Sequence, residues 1–315
     1  MVWEWLGALF GRRSRMPRDR ATRIPRAVRK ATKPQSEAIQ QAIDTIGALP
    51  GLADVGVTKR LPKGFTEAVR ALHKAHDEYI EVAAAGMALE SAARPGTPEG
   101  APCCREMPLG VTGVEGAVIY RTIRVWKDFP QVAARLAELG QAQFDEIQSL
   151  HKGKDLQKIR MNDKAVREGR LAFARKGEAC PFLDEERGRC RIWEVRPQSC
   201  RMHHVTTNPE WSDARSEHFE QVEAKNLRIP VRQQVALMQV EKRMMLQAAP
   251  FMHANVVQIA QMTEGDQLYE VGEAPLKFQQ DGQIQQRANR NKAGAKKFKG
   301  KGKGKGKGKG KSRKK

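Results

Sequence analysis

The sequence is poor in aromatic residues and in cysteine, and it lacks a long hydrophobic run. Phe, Trp and Tyr make up 6% of the 315 residues, whereas 30% are charged. This balance indicates a modest core with long polar extensions. The length allows one large domain or two small ones. We expect no transmembrane segment, because no stretch approaches the roughly 20 consecutive apolar residues that a membrane helix needs.

The N-terminal residues do not have the order of a secretory signal, because their apolar stretch precedes the arginines instead of following them. Without export, five cysteines favour a reducing compartment, namely the cytoplasm, or the nucleus in a eukaryotic host. Thiols or metal ligands are then expected instead of disulfides. A second interpretation of residues 1–15 is peripheral contact with an anionic membrane. The apolar side chains of that segment are Trp3, Trp5, Leu6, Leu9 and Phe10.

Positive charge is concentrated near the two ends of the chain. The formal net charge is +21. Residues 12–33 hold ten Lys and Arg against one Asp, and residues 287–315 hold fifteen Lys and Arg with no acidic residue. The sequence between these segments is close to neutral, so the basicity belongs to two arms.

These arms predict association with nucleic acid or another polyanion, because dense positive charge binds phosphate backbones by releasing counterions. The C-terminal arm has a single aromatic residue, Phe298, so stacking on bases contributes little. Competing interpretations are a solubilising tail, a nuclear localisation signal, or contact with an acidic protein or a membrane. The strict Lys-Gly alternation of the tail cannot bury apolar surface and predicts disorder.

The middle of the chain predicts a mainly α-helical domain. Apolar residues recur at helical spacing over several stretches. We predict helices over 36–49, 66–93, from about 113, 130–150, a shorter one ending near 177, 214–226, and 231–262 with a break at Pro250. Thr112 and Glu115 form a capping box at the start of the third helix. The resulting division is a basic arm (1–35), a helical domain (36–272) and a disordered tail (273–315).

Three cysteines recur at intervals of ten residues in a stretch rich in charge. The sequence from Cys180 to Cys190 predicts a β-hairpin, and a turn centred on Glu185 places these two cysteines opposite each other. Pro197 can then begin a helical turn that brings Cys200 back towards the pair. The prediction is a metal-bound hairpin, or cysteine knuckle, within the helical domain.

Three thiolates are one ligand short of a closed tetrahedral site. The fourth ligand is expected from Cys103 or Cys104. His203 and His204 are substitutes, because they would share the face of Cys200 on a helix. Such a donor set suits zinc, iron or an iron–sulfur cluster. The alternative is a set of buried unligated thiols or a redox disulfide between Cys180 and Cys190, but so polar a hairpin benefits from a metal.

The cysteines and their neighbours resemble the zinc- or iron-chelating cysteine-cluster family of the YkgJ type, over roughly residues 99–205. The residues that carry the resemblance are Cys103-Cys104-Arg105, Thr112 and Glu115, CPFL (180–183) and GRCRIWEVRPQSCR (188–201). The resemblance implies that the metal ligands come from Cys103, Cys104, Cys180, Cys190 and Cys200. It also implies that Arg196 neutralises bound thiolates. Arg201 is a candidate for the same role, the alternative being surface charges.

The sequence departs from the family ahead of the cysteine pair. Members commonly carry further cysteines there, in an arrangement like Cys-x-x-Cys-x-x-Cys-Cys, whereas this chain has RPGTPEGAP (94–102). Three functional hypotheses follow. The first is a metal-binding protein tethered to nucleic acid by its arms. The second is an iron–sulfur enzyme of the protein-modifying or redox class, and the third is a nucleic-acid condensing or packaging protein with a structural metal.

Overall fold

The structure is a computed structural model that describes residues 22–106, 108–151, 164–246, 248–262 and 268–273. The predicted membrane-contacting segment (1–15) and C-terminal arm (287–315) lie outside those ranges. The fold described here is that of the first of two units, Met1–Val271, the second being Gly272–Lys315.

Helices dominate the described residues, as the sequence predicts. The α-helices are α1 (Arg26–Ala31), α2 (Lys33–Gly47), α3 (Val55–Thr58), α4 (Phe65–Ala85), α5 (Gly113–Ile123), α6 (Phe129–His151), α7 (Lys164–Ala174), α8 (Gln198–Arg201), α9 (Val231–Met244) and α10 (Met252–Met262). The strands are β1 (Leu183–Asp184), β2 (Arg189–Cys190), β3 (His203–Val205) and β4 (Ala224–Asn226). They form two antiparallel pairs, β1 with β2 and β3 with β4.

Helices α2 and α4 pack together and carry much of the core. Ile39, Ile43 and Ile46 lie on one face of α2 and are at most 1% exposed. They recur at i, i+4 and i+7, which is the spacing that points one side of a helix inward. Helix α4 also contacts α5, α8 and the 3-10 helix Trp193–Val195. It therefore connects the core to the segment that carries Cys200.

Helix α5 is buried on nearly every side between α4 and α10. Its start is fixed by the predicted capping box, in which the Thr112 hydroxyl accepts from the Glu115 N–H and the Glu115 carboxylate accepts from the Thr112 N–H. Gly116 allows α10 to approach, since a Cβ there would lie 1.8 Å from Asn255 Oδ1. The capping-box prediction is confirmed.

Part of the predicted N-terminal arm is folded. Residues 26–31 form α1, and α2 begins at Lys33, inside the segment expected to be extended. The sequence showed no apolar period there because α1 needs only one buried side chain, Val28, which packs against Gly86 after α4. Pro34 is tolerated because it lies in the first turn of α2.

Two predicted helices have other bounds or another structure. Helix α4 ends at Ala85 instead of near residue 93. Directly after Ala85, Gly86 packs against Val28, and the backbone turns through Ala88 at φ 53°. The predicted helix over 214–226 is wrong. That stretch contains a short 3-10 helix, Phe219–Gln221, and strand β4, which pairs with β3 and so satisfies its backbone.

None of the helices in the described ranges is both long enough and apolar enough to cross a membrane.

Acid should destabilise this fold through its buried histidines. His253 on α10 is 2% exposed, and burial lowers its pKa to about 3. Because the unfolded chain binds a proton near pH 6.5, the stability contributed by neutral His253 is complete above that pH and falls as the pH drops towards 3. At pH 5 we expect a loss of about 2 kcal/mol from this residue.

Urea unfolding of the full chain at pH 7.5 and pH 5.0 measures that loss, with His253→Leu as the comparison. The variant should lose about 2 kcal/mol less between the two pH values than the wild type does. An equal loss in both proteins would contradict the assignment to His253.

Candidate metal centre

The hairpin that holds Cys180 and Cys190 forms with a different register from the predicted one. Leu183 pairs with Cys190 and Asp184 pairs with Arg189, so Cys180 does not lie opposite Cys190. The turn is centred between Glu186 and Arg187, not on Glu185. The prediction that cross-strand pairing brings these two cysteines together is therefore wrong.

The register follows from a proline and a glycine. Pro181 has no N–H for a ladder, and residues 180–183 instead form a turn in which the Leu183 N–H donates to the Cys180 carbonyl at 2.8 Å. Gly188 occupies the end of the turn at φ 63°, a conformation that other residues adopt at a cost. After β2 the chain enters the 3-10 helix Trp193–Val195 instead of continuing as the predicted strand.

Other contacts bring the cysteines near one another. The Cys180 N–H donates to the Cys104 carbonyl at 2.9 Å, and the Cys190 N–H donates to the Gly96 carbonyl at 3.1 Å. Gly96 has φ 85°, and a Cβ there would lie 2.6 Å from the Cβ of Cys190. The loop ahead of the cysteine pair thus lies directly against the hairpin, and its glycine makes this approach possible.

Cys200 reaches the same place on helix α8. Pro197 precedes this four-residue helix, as predicted. The first N–H of the helix, that of Gln198, donates to Glu115 Oε1 at 2.6 Å. Glu115 is 2% exposed, and burial raises its pKa although it accepts three hydrogen bonds. The capping box of α5 therefore also anchors the helix of Cys200.

Burial and neighbouring thiols act together on Cys104, Cys180 and Cys200, and Cys103 also raises the pKa of Cys104. Burial raises the pKa of each, to about 12 for Cys104 and well above the usual value for Cys180 and Cys200. Neighbouring thiols raise these values further, and Cys190 acts on the other three. The backbone contacts among Cys104, Cys180, Cys190 and Gly96 place these segments side by side. We call Cys104, Cys180, Cys190 and Cys200 the thiol cluster.

The thiol cluster is not a formed coordination shell. In the described ranges, no group of three or more His, Cys, Asp or Glu side chains has an arrangement that could hold a metal ion as it stands. A change of χ1 rotamer moves a cysteine sulfur without moving its backbone, so metal binding requires side-chain rotation. The donor chemistry fits zinc or iron, since deprotonation of crowded, buried thiols is favoured by a bound cation.

Cys103 raises the pKa of Cys104 but differs from the thiol cluster in its hydrogen bond to Ser212. It is 8% exposed, and its sulfur lies 3.2 Å from Ser212 Oγ. The single hydroxyl proton of Ser212 is donated to the Pro209 carbonyl at 2.5 Å, so Cys103 must donate to Ser212. Burial raises the pKa of Cys103 to about 11, consistent with a neutral thiol.

His203 and His204 do not lie on a helix with Cys200. Both belong to β3, where their side chains point to opposite faces. His203 Nδ1 lies 2.9 Å from Asn226 Oδ1, and His204 Nδ1 lies 3.0 Å from the Met202 carbonyl. The helical placement that made them substitute ligands is therefore wrong, because pairing with β4 ends α8 after one turn.

Arg196 and Arg201 are buried next to the thiol cluster, with exposures of 4% and 1%. Arg196 lowers the pKa of Cys190 and Cys200, which opposes the effect of burial. The two guanidinium groups converge on Asp77 of α4. Sequence reasoning missed Asp77, which lies in an ordinary amphipathic helix more than 100 residues from Cys180.

Arg105 was also missed as a residue that holds the site together. It donates to the Gly177 carbonyl at 2.6 Å and to Glu185 at 3.0 Å, and it lies 3.7 Å from Asp213. It thereby ties the cysteine pair to the hairpin and to the loop that carries Ser212. Its position directly after Cys104 was the only available signal.

The turn ahead of the cysteine pair does not accept a cysteine at one of the two positions where the family has one. In a Cys-x-x-Cys-x-x-Cys-Cys arrangement the first two positions correspond to Thr97 and Gly100. The Gly100 N–H donates to the Thr97 carbonyl at 3.0 Å, and a Cβ at residue 100 would lie 1.9 Å from the Arg94 carbonyl oxygen. A cysteine therefore cannot occupy position 100 without a shift of the backbone.

Comparison with known proteins matches a family over part of the chain. No curated protein and no solved structure matches the chain. The family resemblance drawn from the cysteine pattern is confirmed over a segment that begins just before the cysteine pair and ends in β4. Residues 101–225, which contain all five cysteines, match the CxxCxxCC family, described as a putative zinc- or iron-chelating domain.

Proposed function

We propose that the chain binds one zinc or iron centre through Cys104, Cys180, Cys190 and Cys200. The observation that supports this most directly is the contact between the cysteine segments, in which the Cys180 N–H donates to the Cys104 carbonyl and Gly96 packs against Cys190. Four thiolates suit zinc or an iron–sulfur cluster.

The role of the centre is proposed to be structural. The hairpin has only two residue pairs in its ladder, and its turn residues are charged. Its apolar anchors are Phe182, Ile192 and Val195, which are at most 2% exposed in the main core. Cys180 and Cys190 lie two residues from Phe182 and Ile192, so a metal would cross-link the two strands at the base of the hairpin.

No reaction is assigned to the site. The one thiol outside the thiol cluster, Cys103, is buried and donates a hydrogen bond to Ser212. A neutral, buried thiol is a weak nucleophile. This arrangement favours the structural role over the redox or protein-modifying hypothesis.

Metal analysis of full-length protein prepared without oxygen tests the proposal. We expect close to one equivalent of zinc, or an iron–sulfur cluster with visible charge-transfer absorption. Protein that contains neither metal, and takes up neither when supplied, would contradict it.

We further propose that the basic segments bind nucleic acid or another polyanion. Support comes from the charge of residues 12–33 and 287–315 and from the exposed cations of α1. Arg26, Arg29 and Lys30 are exposed and form no ion pair within the described residues. Sequence-independent binding with a steep dependence on salt is the expected behaviour.

Binding of the full chain to duplex DNA of random sequence at several salt concentrations tests this second proposal. A variant that lacks residues 287–315 should bind more weakly and show a shallower dependence on salt. Unchanged affinity for DNA in that variant would assign the tail another role. An equal loss of DNA affinity in Cys104→Ser would indicate that DNA binding needs the metal centre.

A further inference from the structure

Asp77 lies outside the segment that matches the metal-chelating family, yet it contacts two arginines inside that segment. Its Oδ1 accepts from Arg196 at 3.3 Å, and its Oδ2 accepts from Arg201. Helix α4 thus supplies the carboxylate that faces the two buried cations next to the thiol cluster.

The two arginines are also held by other groups. Arg201 donates to the carbonyls of Arg196 at 2.8 Å and Glu194 at 2.6 Å. Arg196 donates to the Trp193 carbonyl at 2.9 Å and lies 3.4 Å above the Trp193 ring. Their positions therefore do not depend on Asp77 alone, but buried charges of one sign need a counter-charge.

The same arginines lie close to the thiol cluster in the chain, since Arg201 directly follows Cys200 in α8 and Arg196 precedes it by four residues. Thiolates bound to one divalent cation carry a net negative charge, which nearby guanidinium groups stabilise. Among the described residues, Asp77 is the only carboxylate in an ion pair with Arg196 or Arg201. In the metal-bound protein Asp77 and the thiolates would share the two arginines.

We infer that Asp77 is a positioning residue that competes with metal-bound thiolates for the positive charge of Arg196 and Arg201. This inference rests on the proposed metal site. Removal of the Asp77 charge has two effects of opposite sign. In the metal-free protein, the two buried arginines lose their counter-charge. In the metal-bound protein, the thiolates no longer share the attraction of the arginines with Asp77.

Zinc affinity and thermal stability of full-length Asp77→Asn measure the two effects separately. We expect a lower melting temperature for the metal-free variant. In competition with a chromogenic chelator, the variant should bind zinc about 3- to 10-fold more tightly. A nearby charge that shifts the pKa of a buried group by up to one unit has an effect of this size. A residue that merely stabilised the fold would weaken zinc binding instead.

Two variants control for other effects of the substitution. Asp77→Glu should restore both properties towards the wild type. Glu81→Gln removes an exposed carboxylate one turn further along α4 that contacts neither arginine, so it should change neither property. A change of zinc affinity in Glu81→Gln equal to that in Asp77→Asn would overturn the inference, because net charge alone would explain it.

Unchanged or weaker zinc binding by Asp77→Asn would also overturn it. If that variant does not fold without metal, the rate at which zinc-loaded protein loses its ion to the chelator replaces the affinity. A slower loss than in the wild type supports the inference, and an equal or faster loss overturns it. A wild-type protein that binds neither zinc nor iron would instead refute the proposed metal site, and this inference with it.

Discussion

Changing Cys104 to serine should abolish tight zinc or iron binding, whereas the same change at the neighbouring Cys103 should leave binding intact. The two residues are adjacent in the sequence but lie in different surroundings. Cys104 belongs to the thiol cluster and its carbonyl accepts from the Cys180 N–H. Cys103 donates to Ser212, and serine at position 103 could do the same.

The expected loss of affinity for Cys104→Ser exceeds about 100-fold, because loss of a group that only orients a ligand already costs 10–100-fold. Thermal stability measured with saturating metal should fall as well, since metal binding contributes directly to folding. Chelator competition and calorimetry on the two variants make the comparison. Equal losses for Cys103→Ser and Cys104→Ser would show that both sulfurs bind the metal.

The sequence could predict the helices that bury a continuous apolar face. Helix α2 was predicted from the spacing of its isoleucines, and α5 from the capping box of Thr112 and Glu115. Both signals are local, because they depend on residues within two turns of one another. Helix α1 was missed, since a short helix that buries only Val28 leaves no period to detect.

The candidate site was predictable in its residue types but not in its geometry. Spacing indicated that Cys180, Cys190 and Cys200 act together, yet it gave the wrong hairpin register because Pro181 and Gly188 move the turn. The pairing of β3 with β4 was invisible, since β4 is a polar stretch whose partner lies 20 residues away. Asp77 is joined to the site only by tertiary packing of α4, which no local pattern reports.

The second large effect is expected at Glu115, which links the start of α5 to the helix of Cys200. Its carboxylate accepts from the Thr112 N–H and hydroxyl, both at 2.9 Å, and from the Gln198 N–H at 2.6 Å. Glu115→Ala removes all three bonds and leaves two backbone donors without a partner at a site that is only 2% exposed. We expect the free energy of unfolding to fall by about 3–5 kcal/mol.

Thr112→Val separates the two functions of Glu115. It removes the hydroxyl that caps α5, at a cost of about 1 kcal/mol, and it keeps the bonds that the Thr112 and Gln198 N–H groups donate to Glu115. The difference between the two variants in urea unfolding therefore measures the two backbone bonds to the Glu115 carboxylate, one from Thr112 and one from Gln198. If metal binding needs the bond from Gln198, zinc affinity should fall in Glu115→Ala and be retained in Thr112→Val. Equal destabilisation by the two substitutions would instead show that the bond from Gln198 contributes nothing measurable to stability.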